Sequence, residues 1–219
     1  MRLKWFTIYL EEKYFKKIIN KFMENKNYYF RLGHKYYKER NFELAAVNFR
    51  AAIEQNPEDD KLYNILSYCV QQNGDFKEAI VLLEKAIELN PKADYYFELA
   101  IIKGLDLRDR FGELEALNKA IELNPKYYSA IRARLNLTMD LNIKDFLLHD
   151  LDILIEDNPF NNLEMFLHFR ASFKEETGDI EGACLDYYRL YKLATDDDDR
   201  KIAENRMLNK CREFLMDKL

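Results

Sequence analysis

Four six-residue strings decide how this chain is read: AIEQNP at 52–57, AIELNP at 86–91, AIELNP at 120–125 and LIEDNP at 154–159. They hold all four prolines, Pro57, Pro91, Pro125 and Pro159, on a 34-residue period, each preceded by asparagine. A period of this length marks a stack of like units, each too small to bury its own apolar face. Such stacks display an extended surface rather than enclose a reaction.

Working outward from Pro57, residues 26–59 form the first unit. Tyr29, Leu32, Gly33 and Tyr36 recur at i, i+3, i+4 and i+7, one face of a helix. A polar break at Glu39-Arg40-Asn41 follows, and then Phe42, Ala45, Phe49 and Ala52 make one face of a second helix. Asn56-Pro57 stops that helix, because proline has no donor and the residue before it avoids helical dihedrals. Two helices joined by a short turn form an antiparallel hairpin; we call them A and B.

The spacing resembles the tetratricopeptide repeat. Aromatic–Leu–Gly–Tyr of helix A is Tyr29, Leu32, Gly33 and Tyr36, and Ala–aromatic–Ala–Pro of helix B is Ala45, Phe49, Ala52 and Pro57. On this resemblance Gly33 and Ala45 meet inside the hairpin and Ala52 meets the next unit. The second unit follows the pattern with Tyr63, Leu66, Ser67, Ala79, Leu83, Ala86 and Pro91. In it Gly74 suits a left-handed helix end and Asp75 a helix cap. The third is degenerate: Gly104 stands where Tyr belongs, and Arg110 and Glu113 take normally buried places, so a longer or shifted inter-helix loop is expected. The fourth keeps Ile131, Leu151 and Pro159 but puts Arg134, Lys144 and Leu147 at core positions. The fifth is clear again and two residues late: Leu167, Ala171, Gly178-Asp179-Ile180, Ala183, Tyr187 and Leu190, with Thr195 in place of proline.

The fold class expected is all-α: an α-α superhelix (solenoid) of about five antiparallel helix-turn-helix repeats with helical caps. The repeats fall at 26–59, 60–93, 94–127, 128–161 and 164–195. An N-terminal amphipathic cap takes residues 1–25 and a C-terminal capping helix 196–219. In that closing helix Ile202, Met207, Cys211, Phe214 and Leu215 face inward, and Lys201, Glu204, Lys210, Arg212 and Glu213 outward. The run Asp196–Asp199 reads as a solvated turn at its N-terminus, not a calcium loop, since it lacks that loop's glycine and distal glutamate.

The resemblance implies a protein–protein interaction module. A peptide or helix of a partner would lie in the groove lined by the A helices. Residue by residue it places Phe30, His34 and Tyr37 there from the first unit, and Lys61, Asn64, Tyr68 and Gln71 from the second. Tyr95, Glu98 and Ile102 come from the third, Arg132, Asn136 and Met139 from the fourth, and Met165, His168 and Ser172 from the fifth. Tyrosines give contact area at little entropy cost, and an Asn amide matches a peptide group's donor and acceptor. The same residues also suit an ordinary solvated face. Co-chaperones of this family grip an acidic C-terminus with Lys, Asn and Arg; here those places hold Phe30, His34, Ile65, Tyr95 and Leu99, so that clamp is not expected.

Composition narrows the classes further. The net charge of −5 argues against a nucleic-acid partner, which needs a basic face. Residues 1–26 differ from the rest: seven Lys/Arg face three Glu. Within them, residues 13–24 form an amphipathic pattern, Phe15, Ile18, Ile19 and Phe22 against Lys13, Lys16, Lys17, Asn20 and Lys21. Two readings fit it: a cap on the first hairpin, or a basic helix on an anionic membrane surface or partner, aided by Trp5 and Phe6. The second makes the chain a peripheral membrane or complex-assembly scaffold, the alternative function. No run of 18 apolar residues and no secretory signal pattern occurs. Cys69, Cys184 and Cys211 have no zinc or redox spacing and read as reduced thiols, which suits a cytoplasmic location. No phosphate loop, nucleophile elbow or paired metal-ligand motif is present. His34, His149 and His168 lie in different units. The expectation is no enzyme, no cofactor and no metal site.

Overall fold

The computed structural model describes residues 28–194 and 197–211. The expected cap at 1–25 lies outside them, as do residues 1–24 of the membrane alternative and Arg212, Glu213, Phe214 and Leu215. Among the described residues are eleven α-helices and one π-helical turn, and no strand. The helices are α1 (Tyr28–Lys38), α2 (Phe42–Gln55), α3 (Asp60–Gln72), α4 (Phe76–Leu89), α5 (Ala93–Ile101), α6 (Arg110–Leu123), α7 (Tyr128–Asp140), α8 (Leu147–Asp157), α9 (Leu163–Thr177), α10 (Ile180–Leu193) and α11 (Asp197–Lys210). The π-helical turn, Ile102–Asp106, continues α5.

The chain divides into two compact units, Met1–Ala120 and Ile121–Leu219, the division falling within α6. In the first unit α1 pairs with α2 and α3 with α4, and α2 packs on α3 and α4 on α5. In the second unit α7 pairs with α8 and α9 with α10, α8 packs on α9, and α11 closes on α10.

Local chemistry explains where the helices begin and end. Asn41, Asp75 and Asp179 each accept a hydrogen bond from the amide three residues on, at Leu44, Glu78 and Gly182. These bonds satisfy donors that an α-helix leaves open at its start. Gly74 and Gly178 lie in the left-handed region, at φ 89° and 88°, which a side chain would strain. At Asn56 and Asn90 the proline that follows pushes the backbone out of the helix, to φ −145° and −158°. Asn158 ends α8 differently, in the left-handed region at φ 41°.

The cores keep the repeat. Phe49, Leu83, Leu117 and Leu151 stand at the same place in successive repeats and are all buried. Gly33 makes room for Phe49: a Cβ on Gly33 would come within 2.8 Å of the Phe49 ring. Ala45 and Ala52 are buried, as expected.

The degenerate repeats turn out to be internally matched. In the third, the expected longer or shifted loop is corrected: α6 starts at Arg110, in register with Phe42 and Phe76. Arg108, at φ 55°, repeats the left-handed place of Arg40 and Gly74. The irregularity lies in helix A, whose last turn is π-helical. A Cβ on Gly104 would fall 2.3 Å from the Glu113 carboxylate, so the missing tyrosine makes room for that acid. Arg110 pairs with Glu113 at 3.3 Å. In the fourth, Arg134 is buried as its position demands, and Asp150 on α8, 0% exposed, accepts two of its hydrogen bonds at 2.9 and 2.5 Å. Leu147 is buried, but Lys144 is exposed, with its ammonium 5.8 Å from the Phe173 ring centre. The core reading of Lys144 is thus corrected.

Two further corrections concern the C-terminal helix and the cysteines. Ile202 is 48% exposed, and Ala203 takes the inward place beside Met207 and Cys211. The buried residues are spaced by four, so the inward stripe begins one residue later than expected. Cys184 on α10 and Cys211 after α11 are joined by a disulfide. Only Cys69 is a free buried thiol. The odd count hid a pair brought together by tertiary packing across 27 residues. The inference of a cytoplasmic location from reduced thiols loses two of its three supports. No helix among the described residues is long and apolar enough to cross a membrane.

Candidate functional site

In the first unit, the structure gathers four of the sequence-selected residues into one aromatic cluster. Phe30, His34 and Tyr37 repeat at helical spacing along α1. The Phe30 and His34 rings meet edge to face at 4.4 Å, and His34 and Tyr37 at 6.3 Å. Tyr68 of α3 meets Tyr37 at 5.6 Å. Beneath them lie two B-helix rings. Phe42 touches Tyr37 and Tyr68, at 6.0 and 5.8 Å. Phe49 supports Phe30 and His34, at 6.4 and 5.5 Å. Edge-to-face pairs of this kind add roughly 0.5–1.5 kcal/mol beyond area burial. The cluster is packed yet open: Phe30 is 37% and Tyr68 38% exposed.

A polar row continues from α3 to α5. Asn64 Nδ2 donates to Glu98 Oε2 at 2.6 Å, and Gln71 Nε2 donates to Asp106 Oδ2 at 3.1 Å. Asn64 and Glu98 are 34 residues apart, so the bond links equivalent positions of neighbouring A helices. Lys61 is exposed at the start of α3.

Tyr95 does not belong to the open face. It is 5% exposed, and its hydroxyl donates to Asp60 on α3 beside Lys92, which bonds to the same carboxylate. Ile102 is likewise buried. Arg132 and Asn136 lie exposed on α7 in the second unit, where the Arg132 guanidinium stacks 4.2 Å from the Phe160 ring centre. Met139 and Ser172 help line a small cavity of about 210 Å³ in that unit, with Lys144 and Phe173. Met165 and His168 line another, of about 350 Å³, with Leu190 and Ile202. The sequence reading missed Phe42 and Asp106. Phe42 sits on a B helix, outside the face considered. The acidic end of the π-helical turn gave no periodic signal.

The electrostatics keep the cluster uncharged. Burial and the nearby Lys38 ammonium hold the His34 imidazole below its usual range, so the ring is neutral at pH 7. Burial pushes the Glu98 carboxyl up; the Asn64 hydrogen bond opposes this and Asp94 adds to it. Burial pushes the Cys69 thiol up to about 11, which leaves it protonated and inert. Asp60 goes the other way: burial would raise it, but hydrogen bonds from Lys92, Tyr95 and Asn90 together hold it low. Among the described residues, no group of three or more His, Cys, Asp or Glu converges as metal ligands would.

Glu98 gives a pH prediction. A carboxyl raised in the folded state opposes folding while ionised, and that cost disappears as pH falls below its unfolded value. Glu98→Gln keeps an acceptor for Asn64 and is expected to melt higher than wild type at pH 7.5. The gain should shrink as pH falls toward 4. Parallel thermal melts of the two proteins read this directly, and an equal difference at both pH values would show that Glu98 is solvated.

A tetratricopeptide repeat model matches residues 36–100. No curated protein matches in sequence. Several solved structures share the fold. The crystal structure of YrrB, described as a TPR protein with an unusual peptide-binding site, is 18% identical over 87% of this chain and 97% of that one, with a TM-score of 0.60. MamA is 17% identical over 74% of this chain and 93% of its own, at 0.57. Naa15/Naa10 bound to HypK-THB reaches 0.67 at 12% identity, over 85% of this chain and 29% of that one. The fold class is therefore the all-α, α-α solenoid built from helical hairpins.

Proposed function

We propose that this chain, which carries tetratricopeptide repeats over residues 36–100, holds a peptide or helical segment of a partner protein on the A-helix face of its first unit. The observation that carries the reading is the pre-packed set of rings Phe30, His34, Tyr37 and Tyr68, of which Phe30 and Tyr68 are exposed and His34 and Tyr37 half-buried, continued by the Asn64–Glu98 pair. Rings fixed by their neighbours lose little entropy when a ligand covers them. A polar row beside them gives a peptide backbone donors and acceptors. The peptide-binding site named for YrrB, a structure of the same fold, supports the same use here. Chemistry on a substrate has no comparable support, since the neutral His34 faces other rings rather than a nucleophile.

The test is a phage-displayed peptide library selected on the wild-type protein and on Tyr68→Ala/Asn64→Ala. Exposed aromatic anchors of this kind carry about 2 kcal/mol or more of binding when they are central. Peptides enriched on wild type should bind the double variant more than about tenfold more weakly. Unchanged helical circular dichroism would show that the variant is folded. Equal affinity for both proteins would remove this face from consideration.

A further inference from the structure

We infer that the Cys184–Cys211 disulfide is the lock that holds α11 on the α9–α10 hairpin, and that its two-electron reduction releases this helix. The bond ties the second turn of α10 to the residue following α11 and closes a span of 27 residues. Both cysteines are 1% exposed and sit in one apolar cluster with Ala171, Ala183, Tyr187 and Met207.

Among its described side chains, α11 has further attachments that are small or exposed. Apart from Cys211, it buries Ala203 and Met207, and Ile202 stays half exposed. Its first turn carries the exposed acids Asp197 and Asp198. Arg206 reaches Glu175 at 3.4 Å from an exposed position, and Arg200 donates to the Ala194 carbonyl at 2.9 Å. Exposed ion pairs of that kind hold little. Burial of Ala203 and Met207 offsets only part of the entropy cost of ordering a fourteen-residue helix. A crosslink at its far end removes most of the freedom that α11 would gain by leaving.

The chemistry balances with a dithiol reductant. A reductant thiolate attacks one sulfur, the Cys184–Cys211 bond breaks, and the second reductant thiol completes the exchange. Two electrons and two protons pass to the cysteines, leaving two protein thiols and one reductant disulfide. Because both sulfurs are buried, attack requires α11 to fray first, which couples reduction to release. Release uncovers Ala171, Ala183 and Tyr187, with Tyr191 beside them. It also removes Ile202 from the wall of the cavity it shares with Met165, His168 and Leu190.

The full-length protein is first treated with oxidised glutathione, then denatured and alkylated. One labelled cysteine, Cys69, is expected without reductant and three with dithiothreitol; three without reductant would overturn the proposal. Trypsin is then applied to the native protein, where Lys201 and Arg206 on α11 are exposed. Reduction should speed cleavage at both by more than about tenfold, with a rise in bound anilinonaphthalene sulfonate fluorescence. Cys211→Ala and Cys184→Ala should be cleaved at the fast rate with or without reductant. Unchanged cleavage in protein shown to be fully reduced would mean that packing alone holds α11, and the lock would be refuted.

Discussion

Asp150→Ala is expected to destabilise the second unit by about 3–5 kcal/mol, read as a lower urea midpoint at an unchanged slope. Asp150 is fully buried on α8, and Arg134 of α7 gives it two hydrogen bonds. Burial pushes its carboxyl up, with Arg134 and then His149 opposing the shift. The alanine removes the carboxylate that faces the guanidinium, whose side chain is 6% exposed. The Phe146 ring, 4.6 Å from it, attracts a cation but offers no carboxylate. Smaller effects nearly cancel. Alanine gains about 0.5 kcal/mol of helix propensity, and losing an acid from the first turn of α8 costs about as much. Arg134→Met/Asp150→Leu is the control, because replacing both partners by apolar groups removes both buried charges. That double variant should recover most of the loss. If it is as unstable as Asp150→Ala, packing rather than the ion pair explains the effect.

This pair also shows what the sequence does and does not reveal. The 34-residue period exposes Arg134 as a charge at a core position, since Leu66 and Ala100 precede it at the same place and are buried. It does not name the partner, because the repeat aligns like positions and Asp150 is an unlike one. A second signal was available. Arg170 and Asp186 repeat the 16-residue spacing, in the fifth repeat, and their side chains meet at 2.8 and 2.5 Å. Both pairs join helix A to helix B of one hairpin, so the spacing is itself a repeat feature. Gly104 and Glu113 each break the repeat pattern taken alone, and in the fold one makes space for the other. Repeat register places Tyr95 on the open face. Its hydroxyl instead satisfies Asp60 at a helix N-terminus, and that contact depends on how α5 lies on α3. The hairpins, their caps and the rings of α1 were legible because they follow local periodicity and turn chemistry. The disulfide, the buried ion pair and the π-helical turn depend on contacts between elements, which one sequence does not spell out.

Phe49→Ala should cost the first unit about 3–5 kcal/mol, and it should weaken the proposed peptide face with it. Phe49 is 0% exposed, and its ring fills the space that Gly33 leaves on α1. Truncation empties that space from both sides: the ring is gone, and glycine has no side chain to relax into it. The cavity contribution therefore adds to the lost transfer energy rather than collapsing away. The Phe30 and His34 rings lose the surface they rest on, at 6.4 and 5.5 Å. Total stabilities of single domains are about 5–15 kcal/mol, so the variant should remain folded only with a much lower melting temperature. Phe49→Leu separates the two effects. It keeps most of the volume and should cost less than half as much, while still removing the aromatic edge contacts. Melting curves and affinity for a selected peptide, measured on both variants, distinguish the outcomes. A peptide affinity that survives in folded Phe49→Leu would show that exposed rings alone make the contact. An affinity lost in both would show that the ligand reads a surface whose shape Phe49 sets from below.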